Sequence, residues 1–279
     1  MTSVDDVHLV TDSSTSVPDC TFFPDSYSTA ARVGILLASA VVGIVGGIAL
    51  SGAADLGHAL WLVLGVAALA GGVLSTWSPC GYSSISLLRA NGTGMKAAIG
   101  YLPTFAAHGL GYAAGAVILG TVLGAIGTLL GFTGFTTGFA LAALAIVGIV
   151  YGAHQLDFIR VPYPQRRAQV PHDARARFPK WVIGALYGLA LGLDYLTYVQ
   201  TPLLYLITLA AALTGNVPEA ILMIGLFNIG RYLPVAVNFL PFKDYSIQSW
   251  LARNQERAAM ADGAIMVALG AAFVVLALI

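Results

Sequence analysis

The chain has 279 residues, 58% of them hydrophobic and 9% charged, with a formal net charge of zero. A water-soluble domain carries about a quarter of its residues as Asp, Glu, Lys and Arg, so this composition excludes an ordinary soluble globule. The neutral balance gives no electrostatic footprint for a nucleic-acid partner.

Residues 1–31 differ in kind from the rest. They are polar and hold Asp5, Asp6, Asp12, Asp19 and Asp25. They lack the basic start and early apolar stretch of a secretory signal, so they read as a retained, largely unstructured cytosolic tail. Seven apolar segments follow, at about 33–51, 59–88, 96–124, 135–155, 181–213, 219–240 and 257–278. Roughly 20 apolar residues span a bilayer core as a helix. The expected fold is therefore an all-α polytopic membrane protein with seven transmembrane helices, and the lipid bilayer is its first partner.

Charge orients these spans. With seven crossings, Arg32, Arg89, Lys96, Arg160, Arg166, Arg167, Arg175, Arg177, Lys180, Lys243, Arg253 and Arg257 share the side of the N-terminal tail, which accounts for all of the 13 Lys and Arg residues but Arg231. Basic loops stay in the cytosol. A bacterial-type cell membrane, a cytosolic N-terminus and an external C-terminus follow as expectations. The loop 156–180 carries six of those cations with Pro162, Pro164, Pro171 and Pro179. Its charge marks topology and suits contact with anionic lipid or a cytosolic partner.

Laying residue n over n+120 superimposes "SPCGY" (78–82) on "YVQTP" (198–202) and "HGLGYAAGAV" (108–117) on "NIGRYLPVAV" (228–237). His108 then pairs with Asn228, and Tyr112 with Tyr232. Each half is a broken helix followed by two further spans, and three spans per copy force the second copy to run inverted. The expected organisation is a leading helix at 32–51, a three-helix repeat at 59–155, the basic loop at 156–180 and a second repeat at 181–279. Broken helices of inverted repeats meet near the bilayer midplane in many transporters.

The breaks hold the candidate site. Pro79 removes a backbone donor and crowds the preceding turn, and Ser78, Cys80, Gly81, Ser83, Ser84 and Ser86 surround it. Backbone left unpaired at membrane depth must face protein or water. The same argument applies to Gln200, Thr201 and Pro202, and His108 and Asn228 complete a candidate midplane polar site. Packing alone explains a proline kink among small residues, and a buried cysteine is most often an inert small hydrophobe. Asp194 and Arg231 are expected to pair, because each alone is a costly intramembrane charge. His154 and Asp262 are expected near the cytosolic ends of their spans, at the interface. Glycines spaced by four, Gly111/Gly115, Gly120/Gly124, Gly127/Gly131 and Gly184/Gly188/Gly192, predict close helix crossings. No cluster has metal-ligand spacing, and no cofactor or phosphate-binding motif is present.

The "WSPCGY" break in the first span of two inverted three-helix repeats resembles the DsbD/CcdA family of transmembrane thiol–disulfide carriers, over residues 59–278. That resemblance implies a cysteine in each repeat and passage of reducing equivalents across the membrane, with thioredoxin-like partners. Cys80 matches the first family cysteine, whereas Gln200 stands at the position of the second. One cysteine forms no intramembrane disulfide, so a complete catalytic relay is not expected. The other thiol, Cys20, lies on a tether of roughly 40 Å at most. The leading span and the missing cysteine are similar to a maturation branch of that superfamily, which implies an accessory role toward a disulfide-rich enzyme outside the cytosol. A small-solute transporter using the midplane site and a non-catalytic scaffold are the alternatives. Redox work requires Cys80; the alternatives do not.

Overall fold

The computed structural model describes residues 26–279 except 90, 91, 93 and 165–176. Cys20, the acidic tail to residue 25, and Arg166, Arg167 and Arg175 of the basic loop lie outside the described residues. All regular structure among the described residues is helical: α1 Thr29–Ser51, α2 Leu56–Leu74, a 3-10 turn Ser75–Trp77, α3 Pro79–Leu87, α4 Met95–Leu129, α5 Gly138–Gln155, α6 Lys180–Gly192, α7 Leu203–Leu213, α8 Val217–Tyr232, a 3-10 segment Leu233–Phe239, α9 Asp244–Arg253 and α10 Gln255–Leu278.

Helix starts follow local chemistry. Ser28, Asp55 and Thr137 are the N-caps of α1, α2 and α5, and their side-chain oxygens accept from Ala31 N, His58 N and Ala140 N at 3.3, 3.0 and 3.2 Å, filling orphan donors of the first turn. Six helical stretches are long and apolar enough to cross a membrane: Thr29–Ser51, Leu56–Trp77, Met95–Leu129, Gly138–Gln155, Val217–Phe239 and Gln255–Leu278. The sequence segment 181–213 is instead two short apolar helices, α6 and α7, separated by the non-helical residues 193–202. The polar residues and the proline of 198–202 predict only the end of this second interruption. The structure opens it five residues earlier, at Leu193, because Asp194 turns into the left-handed region with φ 53°.

The outer surface is apolar. Leu37, Val41, Val42, Val45 and Ile48 of α1 are all more than half exposed, the wrong surface for water and the right one for lipid. α1 touches the bundle along a narrow strip, Ser39, Gly43 and Gly47, laid on α10. A methyl at Gly47 would lie 2.8 Å from the Ala272 carbonyl oxygen, so the crossing needs glycine. α4 packs on α6 and on α8, α2 on α8, and α5 on α10. The glycine stripes make these crossings. Gly111 and Gly115 abut Gly188 and Gly192, Gly120 and Gly124 abut Ile221 and Val217, and Gly148 abuts Gly270. Gly131 differs from its stripe, taking φ 74° in the turn after α4. At the centre, α7 is buried on every side, with Leu203, Leu204, Leu206, Ile207, Ala210 and Ala211 at zero exposure, as expected of a helix apolar all round.

Two features have no counterpart among the sequence expectations. The short helix α9 tucks Ile247 and Leu251 into the bundle and leaves Tyr245 and Trp250 outside. The carboxylate of Asp244 accepts from Ser86 Oγ at 3.0 Å and pairs with Arg89 at 3.5 Å, tying α9 to the end of α3. Glu256, in the first turn of α10, receives Ser26 N and Oγ, Tyr27 N and the Arg32 guanidinium, and so fixes where α1 begins.

Candidate functional site around two interrupted helices

The first interruption is tight. After α2 a 3-10 turn ends at Ser78, the single extended residue (ψ 154°), and Pro79 opens α3. Proline is suited to the first helical position, where its missing N–H costs nothing. The hydroxyls of Ser75, Ser78 and Ser84 donate to the carbonyls of Gly72, Ser75 and Gly81, so carbonyls around the break are satisfied without water. Gly81 is required here: a methyl would press on the backbone of Thr76. Cys80, the second residue of α3, has zero exposure and sits in an apolar cluster with Tyr82, Tyr112, Tyr187 and Leu191. Pro79 is half-buried.

The second interruption is ten residues long and leaves two helix ends inside the protein. The last four carbonyls of a helix have no intrahelical partner. α8 supplies donors to those of α6: Arg231 Nη1 donates to Leu191 O at 2.7 Å and Asn228 Nδ2 to Gly192 O at 2.9 Å, while Asn228 Nδ2 also reaches Tyr112 O of α4 at 3.2 Å. Arg231 Nη1 also meets Asp194 Oδ1 at 3.0 Å, both side chains being about fully buried, and Nη2 lies 3.4 Å from Thr197 Oγ1. A cation at a helix C-terminus opposes the negative end of the helix dipole. Asp194 and Arg231, named from sequence as partners, thus meet as the cap of a broken helix. His108 is buried beside this cap. Its Nδ1 lies 2.9 Å from Gly184 O, its ring stands edge-on to Tyr112 at 4.9 Å, and its Nε2 has no partner among the described residues.

The opposite end, the N-terminus of α7, faces a carboxylate. Thr201 Oγ1 donates to Asp262 Oδ1, and the Leu203 amide at the start of α7 faces the same group. A negative charge complements the exposed amides of a helix N-terminus. Asp262 is 1% exposed, which corrects its sequence-based placement at the interface. Distance along α10 set that expectation, and the turn of the helix toward the break overrides it. His154 does lie at the partly exposed end of α5, where its Nδ1 accepts from Val161 N at 3.0 Å.

The midplane set named from sequence therefore divides. Asn228 and His108 belong to the cap of α6. Gln200, Thr201 and Pro202 belong to the start of α7, where Gln200 and Thr201 line a small void together with Leu74, Trp77, Gln155, Gln255 and Asp262. Trp77 and Leu74 come from the first interruption, so the two breaks meet at this void. Gln155, Gln200 and Gln255 line both this void and a larger hollow of about 610 Å³, which is also bounded by Arg32, His154, Tyr163 and Glu256, among others. Tyr163 OH donates to Gln155 Oε1 at 3.0 Å; burial and the nearby Asp262 carboxylate push its phenol above the ordinary range. Among the described residues no group of three His, Cys, Asp or Glu side chains is arranged to hold a metal.

Long apolar helices enclosing capped, polar helix breaks define a helical membrane protein. The chain is 65% identical over 279 residues, the full length of both chains, to methylamine utilization protein MauF of Paracoccus denitrificans, and 66% identical over 278 residues to that of Paracoccus versutus. A third MauF, from Methylorubrum extorquens, is 57% identical over 262 residues, covering 94% of this chain and 92% of the relative. The chain belongs to the MauF family of methylamine utilization proteins. No protein-family model matches it, and no solved structure does.

Proposed function

We infer that the protein is an integral-membrane accessory factor in methylamine utilization, which assists the maturation of methylamine dehydrogenase outside the cytosol. Full-length similarity to relatives named for methylamine utilization carries the reading. The DsbD/CcdA resemblance supplies a mechanism. Cys80 acts as a single thiol that attacks a partner's disulfide, one partner sulfur leaves as thiolate, and a mixed disulfide forms with no net oxidation. Cys80 is fully buried, so exchange requires the two breaks to part. The partners are other accessory membrane or thioredoxin-like proteins of the same process.

In this reading α6 and α7 together make the seventh crossing, and residues 59–155 and 181–279 are inverted copies. The helix pairings support it. α4 packs on α6, and its counterpart α8 packs on α2, the counterpart of α6; exchange of partners is what a two-fold relation produces. The cell membrane holds the protein, with its N-terminus in the cytosol. A reporter active only outside the cytosol should work when fused after Ile279; one that works only in the cytosol would overturn this orientation.

The functional test is Cys80→Ser in a host deleted for its own copy. Growth on methylamine and active dehydrogenase should fall to the level of the deletion, while immunoblots show normal amounts of the variant in membranes. Cys80→Ala, which keeps the site apolar, should fail equally. Full activity from either variant would reject the thiol mechanism and leave transport or scaffolding.

A further inference from the structure

We propose that Asp262 is an intramembrane proton-binding site, reached from one face of the membrane through the polar hollow beside α10. The inference does not depend on the thiol mechanism. It rests on a contrast between the two carboxylates buried among the described residues. Asp194 faces a guanidinium at 3.0 Å. Asp262 is as deeply buried, yet among the described residues no Lys, Arg or His forms an ion pair with it, and its Oδ2 makes no hydrogen bond there. Thr201 and the start of α7 attend only one side of the group. A buried carboxylate without a countercharge is costly, and the cost is relieved by taking a proton.

The route for that proton is on the same face. A void of about 10 Å³ touches Asp262, Thr201, Gln155, Gln200 and Gln255, a size at the threshold for one water molecule. Gln155, Gln200 and Gln255 also line the hollow of about 610 Å³, so three amides, each both donor and acceptor, bridge from the hollow to the carboxylate. Gln255 Nε2 lies 3.4 Å from Gln200 Oε1. Among the described residues, the titratable and charged groups facing this region are Tyr163 of the basic loop, Tyr198 of the second interruption, His154 and Asp157 at the α5 end, Arg253 of α9, and Glu256 of α10 with Arg32 of α1. Glu256 and Arg32 are bonded to each other at 3.0 Å, at the rim rather than at Asp262.

A hydrophobic carbodiimide tests this. The protonated carboxyl adds across a C=N bond of the reagent, its proton passing to nitrogen, and the O-acylisourea rearranges to a stable N-acylurea. The full-length protein in native membranes should gain one adduct, mapped by peptide mass spectrometry to Asp262, with Asp194 unmodified in the same molecules. Above the group's titration point the labelling rate should fall about tenfold per pH unit. Asp262→Asn should abolish the adduct; because that variant need not fold, mapping and pH dependence in the unaltered protein stand as evidence by themselves. No adduct at Asp262, an adduct at Asp194 instead, a rate independent of pH, or protection by sodium ions at constant pH would each overturn the proposal, the last by assigning the site to a metal cation.

Discussion

Asp194→Asn should destabilise the protein by about 3–5 kcal/mol, the range for breaking a buried pair by removing one partner. Asn keeps the left-handed backbone that residue 194 adopts and that Asn tolerates, so the change isolates the charge. It strands the Arg231 guanidinium, which cannot shed its proton, in a site where it is 1% exposed. Arg231→Met should cost less, because the stranded carboxylate neutralises by binding a proton, although Leu191 O loses its donor. The double variant should be more stable than Asp194→Asn alone. Thermal unfolding in detergent micelles measures all three. Additive losses, with the double variant the least stable, would show that the two groups do not act as a pair.

The second large effect lies at a helix crossing. A methyl at Gly72 would sit 2.7 Å from the Arg231 backbone nitrogen and would press on Phe227 O. No flexible side chain can yield there, so Gly72→Ala must push α2 away from α8, and with it move the residue that caps α6. Overpacking of this kind costs about 1–3 kcal/mol, and against backbone the upper end is expected. Gly225 lies on the same helix α8, and a methyl there would meet nothing within 4 Å. Gly225→Ala should be neutral or stabilising by about 0.5–1 kcal/mol, since alanine is the better helix former. Equal melting shifts for both variants would refute the crossing.

What the sequence made legible follows from how locally each feature is encoded. Apolar run length revealed the long helices, because membrane thickness sets it directly. Pro79 announced the first interruption, since proline suits the first turn of a helix and disturbs the turn before it. The pairing of Asp194 with Arg231 was readable because intramembrane charges are few and costly. The onset of the second interruption was not readable: no proline stands at Leu193, and the helix stops through the left-handed turn at Asp194. Asp262 was missed for a related reason. Sequence gives its depth along α10 but not the direction it faces, and that direction matters only once α7 is known to start opposite it. α9 escaped because ten residues of mixed polarity carry too little apolar signal. The polar hollow draws on α1, α5, α9 and α10 at once, a convergence that no local pattern records.

Under the proposed function the two interruptions share one interior, and Cys80 and position 200 stand where the resemblance to the thiol–disulfide carriers implies a cysteine pair. Trp77 and Gln200 already line the same void, and Cys80 is the second residue of the helix that follows Trp77 and Ser78. The direct measurement is disulfide formation in Gln200→Cys, made with Cys20→Ser so that the tail contributes no thiol. A disulfide requires Cα atoms within about 7 Å. Mild oxidation of the full-length protein in membranes should give an 80–200 linked peptide on mapping, lost on reduction. Recovery of both cysteines as separate, alkylated peptides after oxidation would show that the two interruptions do not bring positions 80 and 200 together.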